Sequence, residues 1–267
     1  MNCKICTMPS MLFSRGKLGG SYEVAFFRCK SCGFIQTEEP YWLNTSYSNV
    51  INYSDVGMVS RNIMFAAITK AVILALFDEK KSFLDYGGGY GMLVRIMRDY
   101  GFDFYRYDKH CENLFAQNFD GNIEGAIHYE LLTAFEVFEH LTDPLADISA
   151  MLKLSSNILF STEIVPPELP KLDSWKYYGL EHGQHVSFFT VKALSIIAAK
   201  NHLNLYSDGR AIHLLTNRKV FPFLFYTVSR HKIASILSLI IRRESLLQQD
   251  YKRSLAIWEN NEGKQSD

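Results

Sequence analysis

The stretch Phe83-Leu84-Asp85-Tyr86-Gly87-Gly88-Gly89-Tyr90-Gly91 constrains the fold of this 267-residue chain more than any other. Its apolar start predicts a short strand, and its glycines predict a turn that can enter left-handed backbone conformations. A helix is expected from Met92 to Tyr100, then a second strand from Phe104 to Tyr107 that ends on Asp108. A doubly wound domain holds an adenosine-containing cofactor with this order of strand, glycine loop, helix, strand and acid. The glycines let backbone approach the ligand, and the acid accepts hydrogen bonds from ribose hydroxyls.

The spacing narrows the cofactor. A dinucleotide loop reads G-x-G-x-x-G. Here Gly87, Gly89 and Gly91 read G-x-G-x-G, with Asp85 two residues ahead of the first. A carboxylate there repels a pyrophosphate and suits a cofactor with an amino-acid end or a cation, such as the sulfonium S-adenosylmethionine. No G-x-x-x-x-G-K-[ST] occurs, which argues against a nucleotide triphosphatase. A glycine turn without a ligand is the plain alternative.

Residues 60 to 217 resemble the class I S-adenosylmethionine-dependent methyltransferases. The likeness is carried by Leu84 to Gly91, by Tyr107-Asp108, and by Thr133-Ala134-Phe135-Glu136-Val137-Phe138-Glu139-His140-Leu141 followed by Asp143-Pro144. It implies an α/β fold with a doubly wound seven-stranded sheet. By that likeness Asp85, Tyr86, Gly87 and Gly89 surround the methionine part, Asp108 binds ribose, and Phe135 and Glu136 flank the sulfonium. Tyr47 and Arg61 are candidates to meet the methionine carboxylate, with a solvated Arg61 at a helix end as the alternative. Many members carry an acid and a small residue after strand three; this chain departs from that, offering only Glu124 within Gly121 to Ala126.

Four of five cysteines form two pairs, Cys3-x-x-Cys6 and Cys29-x-x-Cys32. Two knuckles of this kind suit a tetrahedral Zn²⁺ held by four thiolates, with Gly33 favouring the second turn. A disulfide reading needs an oxidising compartment, and the N-terminus Met1-Asn2-Cys3-Lys4 shows no signal-peptide pattern, so the cytoplasm is expected. Cys111 is left over and reads as packing. A ribbon this small buries little surface, so the metal would supply its folding energy. It is read as a lid or docking module. Together with the connector and core, it resembles bacterial sugar methyltransferases with a zinc-binding domain, which act on deoxysugars or surface-polysaccharide building blocks.

The expected organisation is a zinc ribbon at 1–45, a connector and covering helix at 46–80, the cofactor-binding domain at 81–217, and a helical tail at 218–267. The covering helix is expected over Arg61 to Phe77. Further strands are expected at Ile123 to Ile127, Leu131 to Phe135, Ser156 to Thr162, Leu203 to Tyr206 and Ala211 to Thr216, with helices from Asp143-Pro144 and over Thr190 to Asn201. No apolar run of about 18 residues lacks charge, and the nearest, Ile63 to Phe77, carries Lys70 and reads as a buried helix. The tail mixes apolar residues with Arg230, Lys232, Arg242, Arg243, Lys252 and Arg253. It reads as packing on its own domain or on a second subunit of a homo-oligomer, or as a peripheral membrane contact.

Two clusters offer chemistry. Glu136-x-x-Glu139-His140 would share one face of a helical turn and suit Mg²⁺ or Mn²⁺. The second is the loop Tyr177 to Phe189, with His182 and His185, where Trp175 and the tyrosines are read as stacking on a sugar ring. The first motif recurs in small-RNA 2′-O-methyltransferases, where a later His completes a metal site; here that would be His185 or His182. Gln184-His185-Val186-Ser187-Phe188-Phe189 resembles a stretch of sugar C-methyltransferases, except that Gln184 replaces an acid and cannot act as base. His185 is therefore the candidate base for O-methylation, with Glu139, His140 and His182 beside it. The leading expectation is a methyltransferase for a sugar or glycan hydroxyl. C-methylation, an RNA methyltransferase guided by the ribbon, and an inactive cofactor-binding subunit are the alternatives. The formal net charge is zero, so no global field attracts nucleic acid.

Overall fold

A computed structural model describes residues 1–46, 55–124 and 128–262. The chain opens with strands β1 (Ser10–Leu18), β2 (Tyr22–Cys29) and β3 (Ile35–Thr37), then helices α1 (Leu43–Ser46) and α2 (Met58–Leu76). Next come β4 (Ser82–Tyr86), α3 (Met92–Asp99), β5 (Asp103–Tyr107), β6 (Leu131–Ala134), α4 (Pro144–Leu152) and β7 (Asn157–Ser161). β8 (Ser187–Phe188), α5 (Val191–Lys200), β9 (Asn204–Ser207) and β10 (Ile212–Thr216) follow. The tail forms α6 (Pro222–Val228), α7 (His231–Ile240) and α8 (Leu247–Glu262).

The central sheet has six strands in the order β5-β4-β6-β7-β10-β9. β5, β4, β6 and β7 run parallel, while β10 lies antiparallel to both β7 and β9. After β4 the chain goes to one side for β5 and to the other for β6. The carboxyl ends of β4 and β6 therefore splay their loops apart and open a crevice.

Alternation along the strands builds the two layers. Phe83, Leu131, Leu159 and Leu214 face a core shared with α2, α3, α6 and α7. Their neighbours Leu84, Leu132, Ile158 and Leu215 face a core shared with α4 and α5. Side-chain caps start the second pair of helices: Asp143 accepts from the Ala146 amide with Pro144 in the first turn, and Thr190 accepts from Ala193.

The expected seven strands are six among the described residues. Outward of β5 there is a single parallel bridge, Arg106 to Asp120. Of the expected strand at 123–127, Ile123 and Glu124 lie in a bend and the rest falls outside the described residues. The covering helix begins at Met58, earlier than Arg61, and by length and composition it could cross a membrane, contrary to the expectation. Its middle, Phe65 to Ile73, is nevertheless buried, and the Lys70 ammonium donates to the Ser238 carbonyl at 3.0 Å.

The N-terminal strands form a second sheet, ordered β1-β2-β3-β8. Its last strand comes from beyond β7, with Ile35 opposite Phe188 and Gln36 opposite Ser187. Trp42 is fully buried beneath it with Phe26, Tyr178 and Phe188. The tail is anchored along its length: α6 and α7 pack on α2, Arg243 pairs with Glu79 at 2.7 Å, and Arg98 of α3 makes a two-pronged contact with Asp250 of α8 at 2.8 and 2.9 Å.

Candidate active site

A cleft of about 710 Å³ opens at the carboxyl ends of β4 and β6. One wall is the glycine loop. Gly87, Gly89 and Gly91 have φ of 70°, 53° and 87°. A Cβ at Gly87 would stand 2.7 Å from the Val137 side chain, and one at Gly91 would stand 2.6 Å from Asn113 Oδ1, so with their left-handed backbone both positions call for glycine. At Gly89 no atom lies within 4 Å of that position, which leaves bare backbone facing the cleft.

Asp108 holds the loop as well as lining the cleft. Its Oδ2 accepts from the Gly89 amide at 2.9 Å, and its Oδ1 accepts from His110 and Cys111 at 2.7 and 2.8 Å. Each carboxylate oxygen has two lone pairs, so capacity for ribose hydroxyls remains. Asp85 is buried and accepts from the Thr133 hydroxyl at 2.7 Å. Burial pushes its carboxyl up to about 7, partly offset by Thr133. Tyr86 lines the cleft beside Tyr107, ring centroids 5.1 Å apart. Phe135 lies flat on Phe65 of α2 at 4.2 Å.

Glu136 has a left-handed backbone, φ 55°, at the point where the chain leaves β6. A non-glycine residue there is uncommon and costs about 1–3 kcal/mol. Its amide donates to Ser161 Oγ at 2.8 Å, and that hydroxyl donates back to its Oε1 at 2.7 Å. Arg61, in the first turn of α2 with its side chain 36% exposed, reaches the Glu136 Oε2 at 3.7 Å and pairs with Asp55 at 2.8 Å. Tyr47, the other candidate for the methionine carboxylate, lies outside the described residues.

The opposite wall carries the histidines. Phe138 to His140 form a 3-10 turn, not the helical face expected for Glu136, Glu139 and His140. Because Glu136 turns toward Ser161, the cluster becomes Glu139, His140 and His185, whose ligand atoms lie within 4.8 Å of one another. Glu139 is fully buried, and neither carboxyl oxygen has a hydrogen-bond partner. Burial, with Glu136 nearby, holds its carboxyl well above the ordinary range; the Tyr177 hydroxyl approaches and offsets this in part, without the geometry of a full hydrogen bond. His185 Nδ1 lies 2.6 Å from the Tyr177 carbonyl and His140 Nδ1 lies 3.1 Å from the Gln184 carbonyl. A carbonyl only accepts, so both rings carry their proton on Nδ1 and present Nε2 as the basic nitrogen. Burial keeps both neutral: His140 is pushed down to about 4 and His185 well below its ordinary value. His182 packs edge-on to His185 at 4.7 Å.

The expected aromatic platform is absent from this cleft. Trp175, Tyr177 and Tyr178 pack on one another and on Phe188; none of them lines the cleft, although the Tyr177 ring packs behind His185 at 4.9 Å. The Trp175 indole donates to Glu163. Several residues that shape the site are not among those the sequence assigns a role. Arg106 is buried and bonds the Gly89 and Cys111 carbonyls, tying the glycine loop to the turn after β5. Thr133, Ser161 and Phe65 support Asp85, Glu136 and Phe135 respectively. Only Arg106 was findable in principle, as a charge inside a strand.

The cysteine pairs converge behind this wall. Sγ–Sγ distances are 3.4 Å for Cys6–Cys29 and 3.6 Å for Cys3–Cys32 and Cys6–Cys32. Four sulfurs on ~2.3 Å bonds to one Zn²⁺ would stand about 3.8 Å apart, close to this arrangement. Each knuckle is followed by a left-handed residue, Thr7 at φ 61° and Gly33 at φ 76°. The module grips the histidine loop at several points. Trp42 Nε1 donates to the Gly183 carbonyl at 2.8 Å, Gln184 Nε2 donates to Ser46 at 2.9 Å, and Thr190 Oγ1 donates to the Cys32 carbonyl at 2.6 Å.

A methyltransferase domain profile matches residues 60–207. No curated protein sequence matches the chain. Among solved structures, similarity is found to the plantazolicin methyltransferase bound to SAH, with 12% identity, 66% of this chain, 94% of that one and a TM-score of 0.46. The magnesium protoporphyrin IX methyltransferase from Synechocystis PCC 6803 with SAH gives 13% identity, 66% of this chain, 96% of that one and a TM-score of 0.45. A methyltransferase of calicheamicin biosynthesis in SAH-bound form gives 13% identity, 58% of this chain and a TM-score of 0.40, and the match spans only 55% of that chain's length.

Proposed function

The chain belongs to the methyltransferase domain family, and from that premise we propose that it transfers a methyl group from S-adenosylmethionine to a sugar hydroxyl, on a nucleotide sugar or a surface-polysaccharide intermediate. The observation that carries the acceptor side is Glu139, a fully buried carboxyl without a hydrogen-bond partner beside His185 and His140. A ligand rich in hydroxyls pairs with such groups. A flat apolar acceptor would leave them unpaired, at about 1–3 kcal/mol for each.

When bound, the sulfonium supplies an already activated methyl group. The chain's task is then alignment and proton removal. Asp85, Tyr86 and the bare backbone at Gly89 receive the methionine part, Asp108 the ribose, and Arg61 the carboxylate, with Phe135 and Glu136 along the sulfonium. His185 takes the acceptor's hydroxyl proton on Nε2 while its Nδ1–H stays on the Tyr177 carbonyl, which fixes the ring. Buried between other neutral rings, it is a weak base, so the proton leaves late, as the oxygen loses electron density to the methyl carbon.

The trio of Glu139, His140 and His185 also suits a divalent ion. Two imidazoles and a carboxylate favour Mn²⁺ over Mg²⁺, and the ion would polarise the acceptor hydroxyl. Zinc in the cysteine cluster is structural in this reading: it braces the module that holds the histidine loop. Thiolate ligands belong to a reducing compartment, so the reading places the protein in the cytoplasm.

The test is calorimetry with S-adenosylmethionine, then incubation with a panel of nucleotide sugars and mass detection of a 14-Da gain, the mass of one CH₂ unit (~14 Da). Absence of cofactor binding would remove the enzyme reading. Binding with transfer to RNA and to no sugar would replace the acceptor.

A further inference from the structure

We propose that α6 and α7 form a docking face for an anionic lipid surface. The inference does not depend on the identity of the methyl acceptor. α7 is apolar on two sides. Ala234 and Leu237 pack into the core with α2, as an amphipathic helix requires. The opposite side carries Ile233, Ile236, Leu239 and Ile240, and the last three are 57, 75 and 71% exposed. Their spacing of three, three and one residues puts them on one stripe, next to Lys232. α6 continues the pattern. Phe225 and Val228 are buried, while Phe221 and Phe223 are 71 and 69% exposed, with Leu224 and Tyr226 partly so. Large aliphatic and aromatic side chains concentrated this way on consecutive helices mark a surface that something covers.

The charge says what covers it. From Arg218 to Arg243 the sequence holds six Arg and Lys residues and no Asp or Glu. Arg218 is spoken for by Glu130, and Arg243 by Glu79. Lys219, Arg230, Lys232 and Arg242 make no ion pair among the described residues, and all are exposed. This local excess stands on a chain of zero net charge. A second copy meeting the same face about a two-fold axis would bring these cations against their own counterparts, with Glu244, just past Arg243, the one exposed acid adjoining the stretch. Nucleic acid would supply the negative charge but would leave the isoleucines and leucines in water. An anionic bilayer meets both needs. The apolar stripe enters the headgroup boundary, Tyr226 sits at the interface, and the lysines and arginines meet lipid phosphates.

The experiment is co-sedimentation of the full chain with phosphatidylcholine vesicles, with and without phosphatidylglycerol. Binding is expected only with phosphatidylglycerol, and it should weaken as salt is raised. Lys232→Gln and Arg242→Gln should each weaken it about fivefold. Leu239→Ser and Ile240→Ser should each weaken it roughly tenfold. All four side chains point outward, so melting temperature and S-adenosylmethionine affinity should stay unchanged. The glutamine variants keep the test decisive should a serine variant fold poorly. Failure to bind phosphatidylglycerol vesicles, equal binding to both vesicle types, or a concentration-dependent dimer abolished by Leu239→Ser would each overturn the proposal.

Discussion

The two walls of the cleft are built in opposite ways. The cofactor wall is local: Asp85 to Gly91 and Tyr107 to Cys111 come from two adjacent parallel strands and the turns that follow them. Their bonds join positions within about one β-α-β unit, as in Asp108 to Gly89. The histidine wall is assembled from distant parts. His185 stands on a loop whose backbone pairs with β3, and the Gly183 carbonyl is held by Trp42, 141 residues earlier. A local wall survives changes elsewhere in the chain, whereas an assembled one fails when any contributor moves.

Zinc removal should break this comparison most visibly. Structural zinc supplies about 10–16 kcal/mol to small modules. Stripping it with a strong chelator should unfold the N-terminal sheet, abolish turnover and leave S-adenosylmethionine affinity within about threefold, because among the described residues no hydrogen bond or ion pair joins the module to Asp85–Gly91 or Tyr107–Cys111. Loss of cofactor affinity on chelation would show that the walls are not separable. His185→Ala comes next, with a fall in turnover of about 10²–10⁴ and unchanged cofactor affinity by calorimetry.

The third test concerns Asp85 and pH. Its folded carboxyl is raised to about 7 from an ordinary 3.8, so the folded state holds the proton more tightly than the unfolded one. The stability it contributes is greatest below the unfolded value, declines as pH rises through this window, and levels off above the folded value. Melting of the cofactor-free protein should therefore decline over that range by an amount on the order of a few kcal/mol, and Asp85→Asn should flatten the decline. An unchanged profile in the variant would sink this assignment.

Asp108→Ala should lower cofactor affinity by about 2–3 kcal/mol, since it removes both the ribose acceptor and the lock on Gly89. Melting of the histidine loop region, followed by hydrogen exchange, should not change. The smallest effect on cofactor binding is expected from Trp42→Phe, which keeps an aromatic ring but deletes the bond to Gly183 and leaves a small cavity. About 2–3 kcal/mol of stability should be lost, with reduced turnover and intact cofactor binding. Equal losses on both sides would contradict the division.

The same division explains what could be read ahead of the structure. Asp85, the three spaced glycines and Asp108 are legible because their roles follow from neighbours in sequence. The strands around them were placed within a residue or so for the same reason. Glu136 was misjudged as part of a metal face, because its left-handed backbone and its bond to Ser161 depend on β7, 25 residues away. Trp175 reads as a sugar platform from its aromatic neighbours in sequence, whereas in the fold Tyr178 and Phe188 pack against its half-buried ring. The four cysteines were legible from spacing. Their placement behind the histidine loop was not, since the strand that joins them, β8, is only two residues long and has no pattern of its own.

By itself, then, the sequence determined the features whose physics is short-ranged: left-handed glycine turns, capped helices, alternating strands and paired thiols. Only the tertiary structure decided which distant groups share a cleft, that Glu139 is buried without a partner beside two imidazoles, and that the N-terminal sheet borrows a strand from the histidine loop. Long-range packing selects among many sequence-compatible contacts by total burial and hydrogen bonding, and no window of residues contains that sum.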